Sequence, residues 1–209
     1  MSEYETEEQQ VEALKKWWKE NRSSLIVGLF VGVSALFGWR YYGEQQNVHT
    51  LQASDIYIQV MQSATLNKVT DKTIDLSNTL INNYSDTPYA SLAALVLAKL
   101  EYEKDNVEGA VAQLELALKH ASDDTIKQIA NLRLTSVFIE QKKFDEAATL
   151  LSLSHNSVYD AQYEELNGDL YTAKGDTEQA RAAYDKAINI LGASASKWLI
   201  LKRQSLGSV

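Results

Sequence analysis

Residues 164–192 read EELNGDLYTAKGDTEQARAAYDKAINILG, and this stretch decides the fold. Apolar and small residues recur at helical spacing on both sides of Gly175-Asp176, so the spacing predicts two amphipathic helices folded back on each other. Gly168 and Ala180 are small where the two helices must cross closely, and Tyr171 and Tyr184 are large enough to fill the space beside them. Gly175-Asp176 supplies the turn.

The same pattern recurs upstream. Ala147 stands 33 residues before Ala180, with Leu134, Phe138, Phe144 and Leu151 at the other packing positions and Lys142-Lys143 in the turn. Ala110 stands 37 residues before Ala147, with Leu97, Ala98, Leu114 and Ala117; the extra residues fall in the polar run Ser122-Asp123-Asp124-Thr125, where Asp124 or Thr125 is expected to cap the next helix. A degenerate first copy spans roughly 51–88, with Leu76 and Leu80 in its second helix, and Pro88 opens the helix that follows. Trp198, Leu199 and Leu201 beside Lys197, Lys202 and Arg203 suit a closing helix. A period near 34 residues with these small and aromatic positions is that of a tetratricopeptide repeat. The expected fold is therefore all-α: a short right-handed, tetratricopeptide-like α-solenoid of about four helix pairs over residues 44–209.

Ahead of the repeats, Ser23 to Trp39 is a run of seventeen residues without a charge, SSLIVGLFVGVSALFGW. At 1.5 Å per residue it covers about 25 Å, and Trp17 and Trp18 before it and Trp39, Tyr41 and Tyr42 after it extend it with interfacial aromatics. One transmembrane helix is expected over residues 23–43. A signal peptide cut after Val33-Ser34-Ala35 is the competing reading, but such leaders have short basic tails, whereas this tail is long and carries six glutamates. Lys15, Lys16, Lys19 and Arg22 precede the span and only Arg40 follows it closely, which places residues 1–22 in the cytoplasm and, in a bacterium, residues 44–209 in the periplasm. Val11, Leu14 and Trp18 give the tail a short amphipathic helix, expected along the inner leaflet. Ser24, Gly28, Gly32 and Ala35 form a stripe of small residues on one face of the span. It either docks another helix or reflects how common small residues are in single spans.

Charge and composition exclude several functions. A net charge of −8 argues against nucleic acid as a partner, because that affinity rests on dense Lys and Arg. With no cysteine there is no disulfide framework, thiol nucleophile or lipid-modified anchor cysteine. His49, His120 and His155 are too scattered for a metal site, and Asp123-Asp124 and Glu164-Glu165 are neighbours in sequence rather than carboxylates set across a substrate. Phosphate-binding, dinucleotide-binding and nucleophile-elbow motifs are absent from the sequence. No enzymatic activity, cofactor or metal is expected.

Repeat solenoids bind proteins through the concave surface lined by the first helix of each pair. Placing the register on the second and third copies puts Leu92, Leu95, Tyr102, Ile129, Leu132 and Ile139 on or near that surface, while the last copy has Gln162, Glu165 and Asp169 there. The expected groove is apolar at its centre and acidic at one end, suited to an amphipathic helix or an unfolded segment. A slip of one residue moves any of these side chains into the core.

Four short stretches carry a family resemblance: Gln10-Val11-Glu12-Ala13-Leu14-Lys15 in the acidic tail, Gly38-Trp39-Arg40-Tyr41-Tyr42 at the end of the span, Asn131-Leu132-Arg133-Leu134, and Gly175-Asp176 before Ala180-Arg181. With them the chain resembles, over its full length, the YfgM family of ancillary subunits of the bacterial SecYEG translocon. The resemblance implies a non-catalytic inner-membrane protein whose periplasmic repeats work beside SecYEG and a membrane-anchored chaperone of PpiD type, passing translocating client proteins to periplasmic chaperones. It also implies restraint of an Rcs-type response regulator by the cytoplasmic tail. A membrane-tethered scaffold for envelope assembly or cell division is the alternative that the residues leave open.

Overall fold

The turn read in Gly175-Asp176 is built three times. The computed structural model describes residues 7–65 and 70–207, and in them helices α3 (Pro88–Glu103) and α4 (Val107–His120), α5 (Asp124–Glu140) and α6 (Phe144–Leu151), and α7 (Asp160–Lys174) and α8 (Thr177–Leu191) form successive antiparallel pairs. Each pair is joined through one left-handed residue: Asp105 at φ 60°, Lys142 at φ 59° and Gly175 at φ 82°. In each turn the next amide donates back five residues, from Asn106 to Glu101, Lys143 to Phe138 and Asp176 to Tyr171, at 2.9, 2.8 and 2.9 Å. Such bonds satisfy carbonyls that a helix end leaves open. Only the last turn uses glycine, so the first two hold a side chain where glycine is preferred.

The alanines singled out by spacing sit one turn into each second helix, and Ala110, Ala147 and Ala180 are all fully buried. Pro88 is the first residue of α3, behind Thr87. The cap of α5 lies one residue earlier than expected: Asp123, not Asp124 or Thr125, accepts from the amides of Thr125 and Ile126 at 2.7 and 3.4 Å. Bonds from the Thr125 side chain and amide hold this carboxylate below its usual range.

The chain divides into two compact units between Leu51 and Gln52. Helix α1 (Glu7–Thr65) is uninterrupted and contributes to both. In the first unit it holds the whole of residues 23–43. The amphipathic stretch from Val11 to Trp18 is helical and continues into the apolar run without a break. Among the described residues this is the one helix long and apolar enough to cross a membrane, by length and composition. Its large side chains are exposed rather than packed in a core, Phe30 at 69% and Trp39 at 83%.

In the second unit the last turns of α1 supply Ala53, Tyr57 and Val60, one face of a helix, to a core shared with α2 (Asp71–Asn83) and the next two pairs. Leu80, Ala94, Leu97, Leu114, Ala130 and Leu134 fill it. The last pair has its own cluster, Ala180, Tyr184 and Ala187, closed by Leu199 of α9 (Lys197–Ser205). Among the described residues the fold is thus four helix pairs and a closing helix, with no strand.

Candidate partner-binding surface

The first helices of successive pairs are fastened side by side at intervals of one repeat. Tyr102 of α3 donates its hydroxyl to Glu140 of α5 at 2.6 Å, a bond that raises its phenol above the ordinary range. Tyr163 of α7 donates to the buried Gln128 of α5 at 2.6 Å. Lys202 of α9 donates to Glu165 and Asp169 of α7 at 2.9 and 2.8 Å. The closing helix is therefore held as the next first helix in the row.

Between these fasteners the row of first helices is hollowed. One concavity, about 340 Å³, is walled by Tyr57 and Met61 from α1, Leu92, Leu95 and Val96 from α3, and Ile129 from α5. A second, about 300 Å³, lies between α3, α4 and α5, with Tyr102, Leu114, Val137 and Glu140 in its wall. Lys99 and Arg133 border both. Each is at the low end of the range for sites that hold small organic ligands.

Of the six residues placed on this surface by repeat register, Leu92 and Ile129 are half-buried and line the first hollow, and Tyr102 is exposed in the wall of the second. Leu95 reaches the first hollow but is only 6% exposed, so most of it belongs to the core. Leu132 and Ile139 are half-buried and line neither hollow. Tyr57, Met61, Val96 and the two cations were not singled out from sequence. Tyr57 and Met61 do stand four residues apart, the spacing of one helix face.

The expected acidic end of the groove is closed by the protein's own cation. Glu165 and Asp169 are engaged by Lys202, and Asp169 also accepts from Tyr184 at 2.7 Å, so these carboxylates secure α9 rather than face a partner. His155 is likewise internal to the fold. Its ring stacks on Tyr163 with centroids 3.6 Å apart and reaches Asp160 at 3.1 Å. Ser24, Gly28, Gly32 and Ala35 are exposed on α1, and a side chain built on either glycine would meet nothing.

The family model described as a tetratricopeptide repeat-like domain matches residues 15–208. Among curated relatives, the protein of Escherichia coli strain K12 named ancillary SecYEG translocon subunit is 34% identical over 185 residues, 88% of this chain and 88% of that one. A protein of the same name from Haemophilus influenzae is 33% identical over 87% of this chain and 88% of its own. Another, from Aggregatibacter actinomycetemcomitans, is 30% identical over 96% and 97%. No solved structure matches.

Proposed function

We propose a function from the premise that the chain belongs to the family of ancillary SecYEG translocon subunits. In this reading the protein is a non-enzymatic companion of the translocon in the inner membrane, crossing it once at residues 23–43. Its tail is cytoplasmic and its repeats are periplasmic, and the small-residue stripe is the face turned toward a neighbouring helix in the bilayer. The repeats take apolar segments of newly translocated chains, or of a membrane-anchored chaperone of PpiD type, and hold them during transfer to other chaperones. The observation that carries this is the hollow walled by Tyr57, Met61, Leu92, Val96 and Ile129, an apolar opening on the face that repeat solenoids use for partners. Restraint of an Rcs-type response regulator by residues 1–22 rests on the family resemblance alone.

Two measurements test the reading. A photocrosslinker at Met61 or Leu92 in living cells is expected to capture translocon components, exported precursors and the chaperone, whereas one at Glu115, exposed on a second helix, is not. Capture of cell-wall machinery instead would favour an envelope scaffold. For topology, protease added to spheroplasts is expected to remove the repeats and leave a protected fragment of tail and anchor. Loss of an epitope placed at Ser2 with the repeats intact reverses the orientation, and a mature chain that starts near Leu36 removes the anchor altogether.

A further inference from the structure

The two hollows are mainly apolar, with Glu103 in the wall of the first and Glu140 in that of the second, and the charged residues that border both are Lys99 and Arg133. Lys99 is already occupied, reaching Glu103 of its own helix at 3.5 Å, and Glu140 accepts from Tyr102. Arg133 differs: it is exposed, and no hydrogen-bond acceptor or carboxylate partner for it lies among the described residues. It stands on α5 one turn beyond Ile129, in the wall of the first hollow, and one turn before the largely buried Val137, in the wall of the second. In a chain with a net charge of −8, an unmatched guanidinium between two mainly apolar hollows is a selective feature.

Resting on the reading of this face as the binding site, we propose that its occupant is an amphipathic helix carrying an acidic side chain between two apolar anchors, the carboxylate being received by Arg133. A guanidinium offers parallel N–H donors that match a carboxylate, and such charge-assisted bonds are about twice as strong as neutral ones. The apolar anchors enter the hollows on either side. An occupant with a lysine at the central place leaves two cations facing each other, so the site selects against basic segments as well as for acidic ones.

Two fluorescein-labelled, 14-residue amphipathic peptides, identical except for a central Glu or Gln, provide the test against full-length protein in phosphatidylcholine nanodiscs. The Glu peptide is expected to bind about tenfold tighter than the Gln peptide, with the difference shrinking in high salt. Arg133→Gln brings the Glu peptide to the level of the Gln peptide and leaves the latter unchanged. Arg133→Glu reverses the preference toward a third peptide with central Lys. Equal binding of the Glu and Gln peptides to the wild-type protein, or a Glu peptide indifferent to Arg133→Gln, overturns the carboxylate assignment while the groove stands. Binding of neither peptide above empty nanodiscs overturns the groove reading and this inference together.

Discussion

Replacing Gly168 by valine is expected to lower the thermal midpoint of the protein by about 4 to 12 °C, the consequence of about 2 to 3 kcal/mol in a folded unit of this size. A Cβ at position 168 would overlap the ring of Tyr184 across the crossing of α7 and α8. The ring has nowhere to go, since Tyr184 is 2% exposed and its hydroxyl donates to Asp169 at 2.7 Å while lying 3.2 Å from Thr172. Gly168→Ala is expected to cost less, because alanine recovers about 1 kcal/mol of helix propensity. In a solenoid each repeat is stabilised by its neighbours, and the last pair has a core cluster of its own. Amide exchange should therefore rise in α7, α8 and α9 and stay low in α3 and α4. An unchanged midpoint, or a uniform rise across all pairs, contradicts this account of the crossing.

Gly168 also shows why the fold was legible. A small residue facing a large one at a helix crossing is a constraint on both sequence positions, and the alanine spacings of 37 and 33 residues are those of the three left-handed turns. Helix pairing depends on these few positions and tolerates error in the rest. The binding face does not, because adjacent helical residues point about 100° apart. Leu92 opens into a hollow while Leu95, three positions on, is nearly closed off. Leu132 faces neither hollow, whereas its neighbour Arg133 borders both. A charged residue beside a leucine reads as solvent-facing in any sequence, and only the positions of α1 and α3 make Arg133 part of a groove. The acidic pair misled for a related reason: the cation that engages Glu165 lies 37 residues away, in the following first helix. The register of Leu95 also decides how the groove can be tested: Leu95→Glu would put a charge into the core, and variants at Met61 and Leu92 examine binding without that cost.

The second large effect is expected from Lys202→Met. Lys202 and its two carboxylates are each about a quarter exposed, so the loss is that of a partly desolvated, charge-assisted bridge, about 2 kcal/mol at neutral pH. Asp169 keeps the hydroxyl of Tyr184, and Glu165 is left without its cation. Adding Glu165→Gln to Lys202→Met should therefore recover part of the loss, since an unpaired charge costs more than no charge. Trp198 is exposed already and will not report the change, so amide exchange from Leu199 onward is the measurement. The pH dependence separates this bridge from mere packing. Burial works against the charge on Lys202, but bonds to Asp169 and Glu165 outweigh it and raise its pKa. Burial also raises the phenol of Tyr184, with Asp169 adding to the effect against a bond to Thr172. Both groups hold their protons more tightly when folded. Their contribution is thus complete below about pH 10, where the unfolded groups titrate, and is lost as pH rises through the raised values. The wild-type midpoint should stay level to about pH 9 and then fall, and Lys202→Met should start lower and fall less steeply. If the variant and wild type fall in parallel, Lys202 contributes its hydrocarbon chain to the packing of α9 and its charge contributes nothing.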